Sequence, residues 1–203
     1  MNLGLLCLAV GQGYASGSVS HFPKKHFEGA VYDFGHLNPF TIKVPLSTDG
    51  EKVIDLHVTF GCHCFTEEFS PLLHQEHHRY VFRNELRAFN VERHECSLQL
   101  PAIIQGMLKG RIYNADASYT YVAHITLASK TGPQQYSLFF SLEKGKAATE
   151  PALKMYVKSA YLRTLATKSA SAQSWRFVSL AGQVSGVFPP KEKKPRPQKK
   201  KAP

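Results

Sequence analysis

Residues 40–60 read "FTIKVPLSTDGEKVIDLHVTF". Ile42, Val44 and Leu46 alternate with polar neighbours, "STDG" (47–50) carries turn chemistry, and Ile54, Leu56, Val58 and Phe60 alternate again. A period of two on both sides of a turn predicts a β-hairpin with one buried face. The same parity runs on into "FGCHCFTEEF" (60–69). It sends Cys62 and Cys64 to the core side and His57 and His63 to the other, provided Gly61 introduces no bulge.

On the carboxyl side, residues 65–90 are polar and rich in histidine, with "RYVF" (79–82) as a short strand. From Val91 to Lys109 the pattern turns helical: Leu100, Ile103, Ile104, Met107 and Leu108 form an apolar stripe, and Gly110 suits a C-cap. Pro101 lacks an amide donor, so the helix kinks there or begins afresh. Four strands are then expected, at 119–129, 135–144, 152–164 and 174–182, the first two joined by "KTGPQ" (130–134). The order predicts an α+β fold: an antiparallel β-sheet with an N-terminal β-hairpin and one main helix packed on it. The expected domain covers 28–188, between a poorly ordered extension (1–27) and a basic Pro/Lys tail (189–203).

With 203 residues, the chain is long enough for one ordinary core without staples. Its four cysteines, Cys7, Cys62, Cys64 and Cys96, are too few and too unevenly placed for a secreted disulfide framework, which points to a reducing cytoplasm. The amino-terminal apolar run is preceded by no Lys or Arg and is far too short to span a membrane. It reads as a loose extension or an early start codon, and no membrane partner is expected. Of the net charge of +10, the last fifteen residues carry +6, from seven Lys/Arg and one Glu. Such a tail, with Lys199, Lys200 and Lys201 at its end, adds affinity for phosphate polymers without reading bases.

Lys154, Tyr156 and Lys158 alternate with Leu153, Met155 and Val157; His124 and Arg176 stand at similar alternating positions. In one sheet they would gather cations, a tyrosine and a histidine on a single face, the surface that phosphate tracking and base stacking require. With Arg163, Lys154, Lys158 and Arg176 are the candidate nucleic-acid contacts. Metal-free RNA cleavage needs a base, an acid and cations about one phosphate. His124, Tyr156, Lys158 and Arg176 are the candidates for those roles. Two classes stay open: an RNA- or DNA-binding protein, with cleavage as its sharp form, and a non-catalytic module for a protein partner. The Cys-x-Cys at 62–64 is read as packed thiols with no metal; the alternative is a ligand set of Cys62, Cys64, Cys96 and His78. No phosphate-binding loop, dinucleotide fingerprint, metalloprotease or nucleophile-elbow motif occurs, and no cofactor is expected.

"VYDFGHLNPFTIKV", "HCFT", "RYVF…ELRAFNVERHECSLQLPAIIQGML" and "LKMYVKSAYLRT…SWRFVSLAG" resemble, in that order, a group of uncharacterised proteins of bacterial mobile elements and prophages. Some of these are called stationary phase growth adaptation proteins. The similarity spans roughly 28–188 and implies cytoplasmic mobile-element cargo, with a protein partner encoded on the same element. It supplies no catalytic residue. "KMYVKSAY" is also similar to strand segments of RelE and barnase-like ribonuclease toxins, which implies a ribonuclease by analogy alone.

Overall fold

The computed structural model describes residues 20–115, 120–129, 132–146, 150, 152–163 and 174–189, the side chains of 127–129, 132, 133 and 163 apart. Its first half holds seven strands: β1 (Lys25–Phe27), β2 (Ala30–Tyr32), β3 (Phe40–Pro45), β4 (Val53–His63), β5 (Thr66–Glu68), β6 (Arg79–Phe82) and β7 (Glu85–Phe89). Helices α1 (Val91–Ser97) and α2 (Leu100–Met107) follow. The second half contains β8 (Arg111–Asn114), β9 (Thr120–Ser129), β10 (Gly132–Lys144), β11 (Leu153–Arg163), β12 (Ser174–Arg176) and α3 (Phe177–Ser185). No helix among the described residues is long and apolar enough to cross a membrane.

β3 and β4 pair antiparallel with Ile42 opposite Leu56 and Val44 opposite Ile54. Ile54, Leu56, Val58 and Phe60 are buried while Asp55, His57 and Thr59 are half-buried, as the alternation requires. The hairpin enters a seven-stranded sheet ordered β12-β8-β9-β10-β11-β4-β3. All its neighbours are antiparallel except β11 and β4, which run parallel with Met155 opposite Val58. Three short strands form a second sheet, β5-β7-β6, from the segment expected to be mostly loop.

The expected architecture is therefore corrected. Among the described residues the fold is predominantly β, its large sheet is mixed, and three short helices replace one main helix. Each difference has a local cause. α1 starts on Asn90, whose side chain accepts a hydrogen bond from the Arg93 amide at 2.9 Å. It stops at Ser97, and α2 begins anew with Pro101 in its first turn, where a missing amide costs nothing. The 174–182 segment is a three-residue strand followed by helix. Phe177, Leu180 and Ala181 are buried at helical spacing, and Gly186 ends the helix in the left-handed region at φ 82°. Phe188 then folds back so closely over Gly182 that no Cβ fits between them.

The large sheet curls. Pro45 to Thr48, at the end of one edge strand, and Arg176, at the end of the other, line one crevice with Leu108 and Lys109 after α2 and Val178 of α3. The concave face carries Leu56, Val58, Met155, Val157, Leu138 and Phe140 against Leu100, Ile104, Phe177 and Leu180. A second apolar centre joins the small sheet to the large one. Phe34 stacks on Phe65 at 4.0 Å, with Phe22, Tyr80 and Phe89 around them.

Candidate functional site

The convex face of the large sheet meets the tip of the small sheet at the end of β4. Opposite Phe60 to His63, β11 advances from Val157 to Ser159, so β4 carries an extra residue there. Gly61 lies at this irregularity. Tyr156, on β11, sets its hydroxyl against Gly61, where a Cβ would stand 2.6 Å from the phenolic oxygen and 3.0 Å from the Lys158 carbonyl. Gly61→Ala is expected to cost about 1–2 kcal/mol in chemical denaturation by overpacking. Tyr156→Phe should recover part of that loss, because it removes the nearest atom. Full additivity of the two changes would refute the contact.

After Gly61 the backbone turns tightly, with Cys64 N–H donating to the Gly61 carbonyl at 3.2 Å and Phe65 N–H to that of Cys62 at 3.1 Å. Arg83 and Asn84 link β6 to β7 with both residues left-handed, at φ 48° and 66°. That turn carries Glu85 to His63, whose Nε2 stands 2.7 Å from Oε1. Arg87 Nη1 is 3.5 Å from the same oxygen, and its Nε donates to Thr66 Oγ1 at 3.3 Å. Cys62 completes the group: its sulfur, the His63 nitrogen and the Glu85 oxygen all lie within 4.8 Å of one another.

The cysteines differ in setting. Cys62 and Cys64 are both buried, although the extra residue of β4 at Gly61 breaks the parity on which that expectation rested. Burial raises the Cys62 thiol pKa and Glu85 adds to the rise, while Arg87 opposes it. Cys64 has no solvent exposure, and burial raises its thiol further; the S–H faces the Val157 carbonyl at 3.8 Å. Cys96 is on α1, raised by burial and then by Glu92 and Glu95. His78 packs against Phe27 and His77 and accepts from the Gln75 amide at 3.2 Å. The alternative ligand set Cys62, Cys64, Cys96 and His78 is thus not assembled. Among the described residues, the group close enough to share a metal is Cys62, His63 and Glu85.

The other sequence candidates are spread over the molecule. Tyr156 is 44% exposed. Lys158 Nζ donates to Thr120 Oγ1 at 2.7 Å, and Lys154 pairs with Glu150 at 2.8 Å. His124 Nδ1 lies 3.0 Å from Ser137 Oγ, and its ring leans on Tyr113. Tyr156 is in register with Ser141, and Ser141 with Thr120, so His124 lies two strands over and four residues further along β9. Strand spacing puts it roughly 16 Å from Tyr156. Arg176 is exposed at the crevice between the sheet edges. The Arg163 side chain and Lys199, Lys200 and Lys201 lie outside the described residues.

Sequence reasoning missed two features of this surface. Phe139 and Tyr161 stack at 5.5 Å, and the Arg93 guanidinium sits 4.9 Å over the Tyr161 ring. It also missed Glu85, whose place beside His63 depends on the pairing of a strand read as loop.

The chain belongs to the YjaZ family, whose model matches residues 24–185. No curated protein and no solved structure matches significantly. The mobile-element and stationary-phase association and the RelE analogy find no counterpart in these comparisons.

Proposed function

We propose that this YjaZ family member binds single-stranded nucleic acid across the convex face of its large sheet. The observation that carries the reading is Tyr156, an exposed ring on an interior strand with Lys154 and Lys158 two residues away on either side. A base can stack on such a ring while the lysines follow the phosphates. Releasing Lys154 from its half-buried Glu150 partner costs at most about 1 kcal/mol. Binding is favoured over cleavage, because base and acid must both reach one phosphate, and His124 is far from Tyr156.

Fluorescence anisotropy with labelled single-stranded RNA and DNA at several salt concentrations tests this. Tyr156→Ala should weaken binding about 5- to 100-fold, and Tyr156→Phe should change it little. Lys154→Ala should flatten the salt slope. Binding that ignores both salt and Tyr156 would sink the proposal. Incubation with RNA should leave it intact, with or without His124→Ala.

The second reading, a protein-interaction module, draws on the loop before β6, where Leu72 and Leu73 are 94% and 79% exposed. Adjacent apolar side chains in water suit a partner surface. Their replacement by serine should leave nucleic-acid binding unchanged.

A further inference from the structure

We propose that Cys62 Sγ, His63 Nε2 and Glu85 Oε1 form a three-ligand site for a zinc ion, its fourth position open to solvent beside Tyr156. The proposal does not depend on nucleic-acid binding.

The donor set suits zinc, which takes thiolate, imidazole and carboxylate together, whereas magnesium and calcium prefer oxygen alone. Three protein ligands and one free position are the pattern of zinc sites that bind water or substrate. The spacing also fits. Around a tetrahedral zinc with bonds of about 2.0–2.3 Å, donors stand roughly 3.3–3.6 Å apart. The three atoms here lie within 4.8 Å, so the His63–Glu85 pair opens slightly and Cys62 closes by an ångström or so.

The backbone makes this convergence possible. In a regular strand, consecutive residues point to opposite faces, and Cys62 and His63 could not share an ion. The extra residue of β4 and the tight turn at 61–65 remove that restriction. Glu85 arrives from the other sheet on a turn with two left-handed residues, of which Asn84 suits that conformation and Arg83 adopts it against the usual preference of its type.

The surroundings complete the assignment. Arg87 Nη1 stands 3.5 Å from the same Glu85 oxygen, the kind of outer partner that metal-ligating carboxylates commonly have, and its charge moderates the affinity. Cys62 is buried, while the His63 and Glu85 side chains are 37% and 47% exposed. An ion would therefore enter from the convex face, and the thiol proton would leave to solvent as the sulfur binds.

The test uses the full chain without a histidine tag, stripped by chelator, given one equivalent of zinc and dialysed. About one zinc per chain should remain. His63→Ala and Glu85→Gln should each weaken retention at least tenfold, and Cys96→Ser should not. Because Cys62 is buried and its loss can disturb the turn, the two exposed variants carry the test. Cobalt in place of zinc should give a near-ultraviolet thiolate charge-transfer band that vanishes in Cys62→Ser. No zinc on the wild type, or equal retention by His63→Ala and Glu85→Gln, would overturn the site. Either result leaves the anisotropy experiment unaffected, so the two proposals fail separately.

Discussion

Phe65→Ala is expected to lower the unfolding free energy by about 3–5 kcal/mol, the largest loss of any single change considered. Phe65 has no solvent exposure. Its ring stacks on Phe34 at 4.0 Å and meets Phe22 and Tyr80 edge-on at 5.1 Å each. It stands between β4 and β5, so it ties the small sheet and the segment around Phe22 to the large sheet. Removing it leaves a cavity among side chains anchored on three separate stretches of chain, which cannot all collapse inward. Urea titration measures the loss; Phe82→Ala, at the half-buried margin of the same cluster, should cost no more than half as much. Equal costs would mean that the cluster does not join the two sheets.

Acid should destabilise the fold well before its carboxyl groups titrate, through His36. Burial, helped by nearby His94 and partly opposed by Asp33, lowers the His36 pKa from 6.5 to about 4. The hydrogen bonds fix the tautomer. Ser97 Oγ donates to the His94 carbonyl at 2.7 Å, so His36 Nε2–H donates to Ser97 Oγ at 2.8 Å. Because the folded pKa is depressed, the unfolded chain takes up the proton first as pH falls. The stabilisation is complete above about pH 6.5 and is lost on the way down towards pH 4. Full expression of that shift would amount to about 3 kcal/mol; with solvent screening of a partly exposed ring, about 2 kcal/mol is expected. Asp33, Asp49 and Glu67 are held below their ordinary range and add acid loss lower down, so the share due to His36 is read from the difference between wild type and a His36 variant. Denaturation between about pH 6.5 and 4.5 should slope more for the wild type than for His36→Gln. An unchanged slope in the variant would assign the effect elsewhere.

Local periodicity determined a good part of this protein. The alternation in 40–60 set the β3–β4 hairpin, its turn and its buried face, as far as Phe60. "RYVF" is a strand, and Pro101 does begin a new helix. These outcomes follow from rules that act over a few residues: side chains alternate along a strand, and proline has no amide to donate.

Tertiary structure decided what those rules do not reach. Alternation assigns faces to a strand but not a neighbour or a direction, so the parallel pairing of β4 with β11, about a hundred residues away, left no local mark. Phe177, Leu180 and Ala181 follow Ser174, Trp175 and Arg176, which read as strand, and the helix forms because its apolar side seals the open concave face. The polar 65–90 segment shows no periodicity, because its strands are three to five residues long and bury few side chains each. The approach of Glu85 to His63 and Cys62 depends on that small sheet folding onto the end of β4. Long-range packing brings Glu85 to that pair.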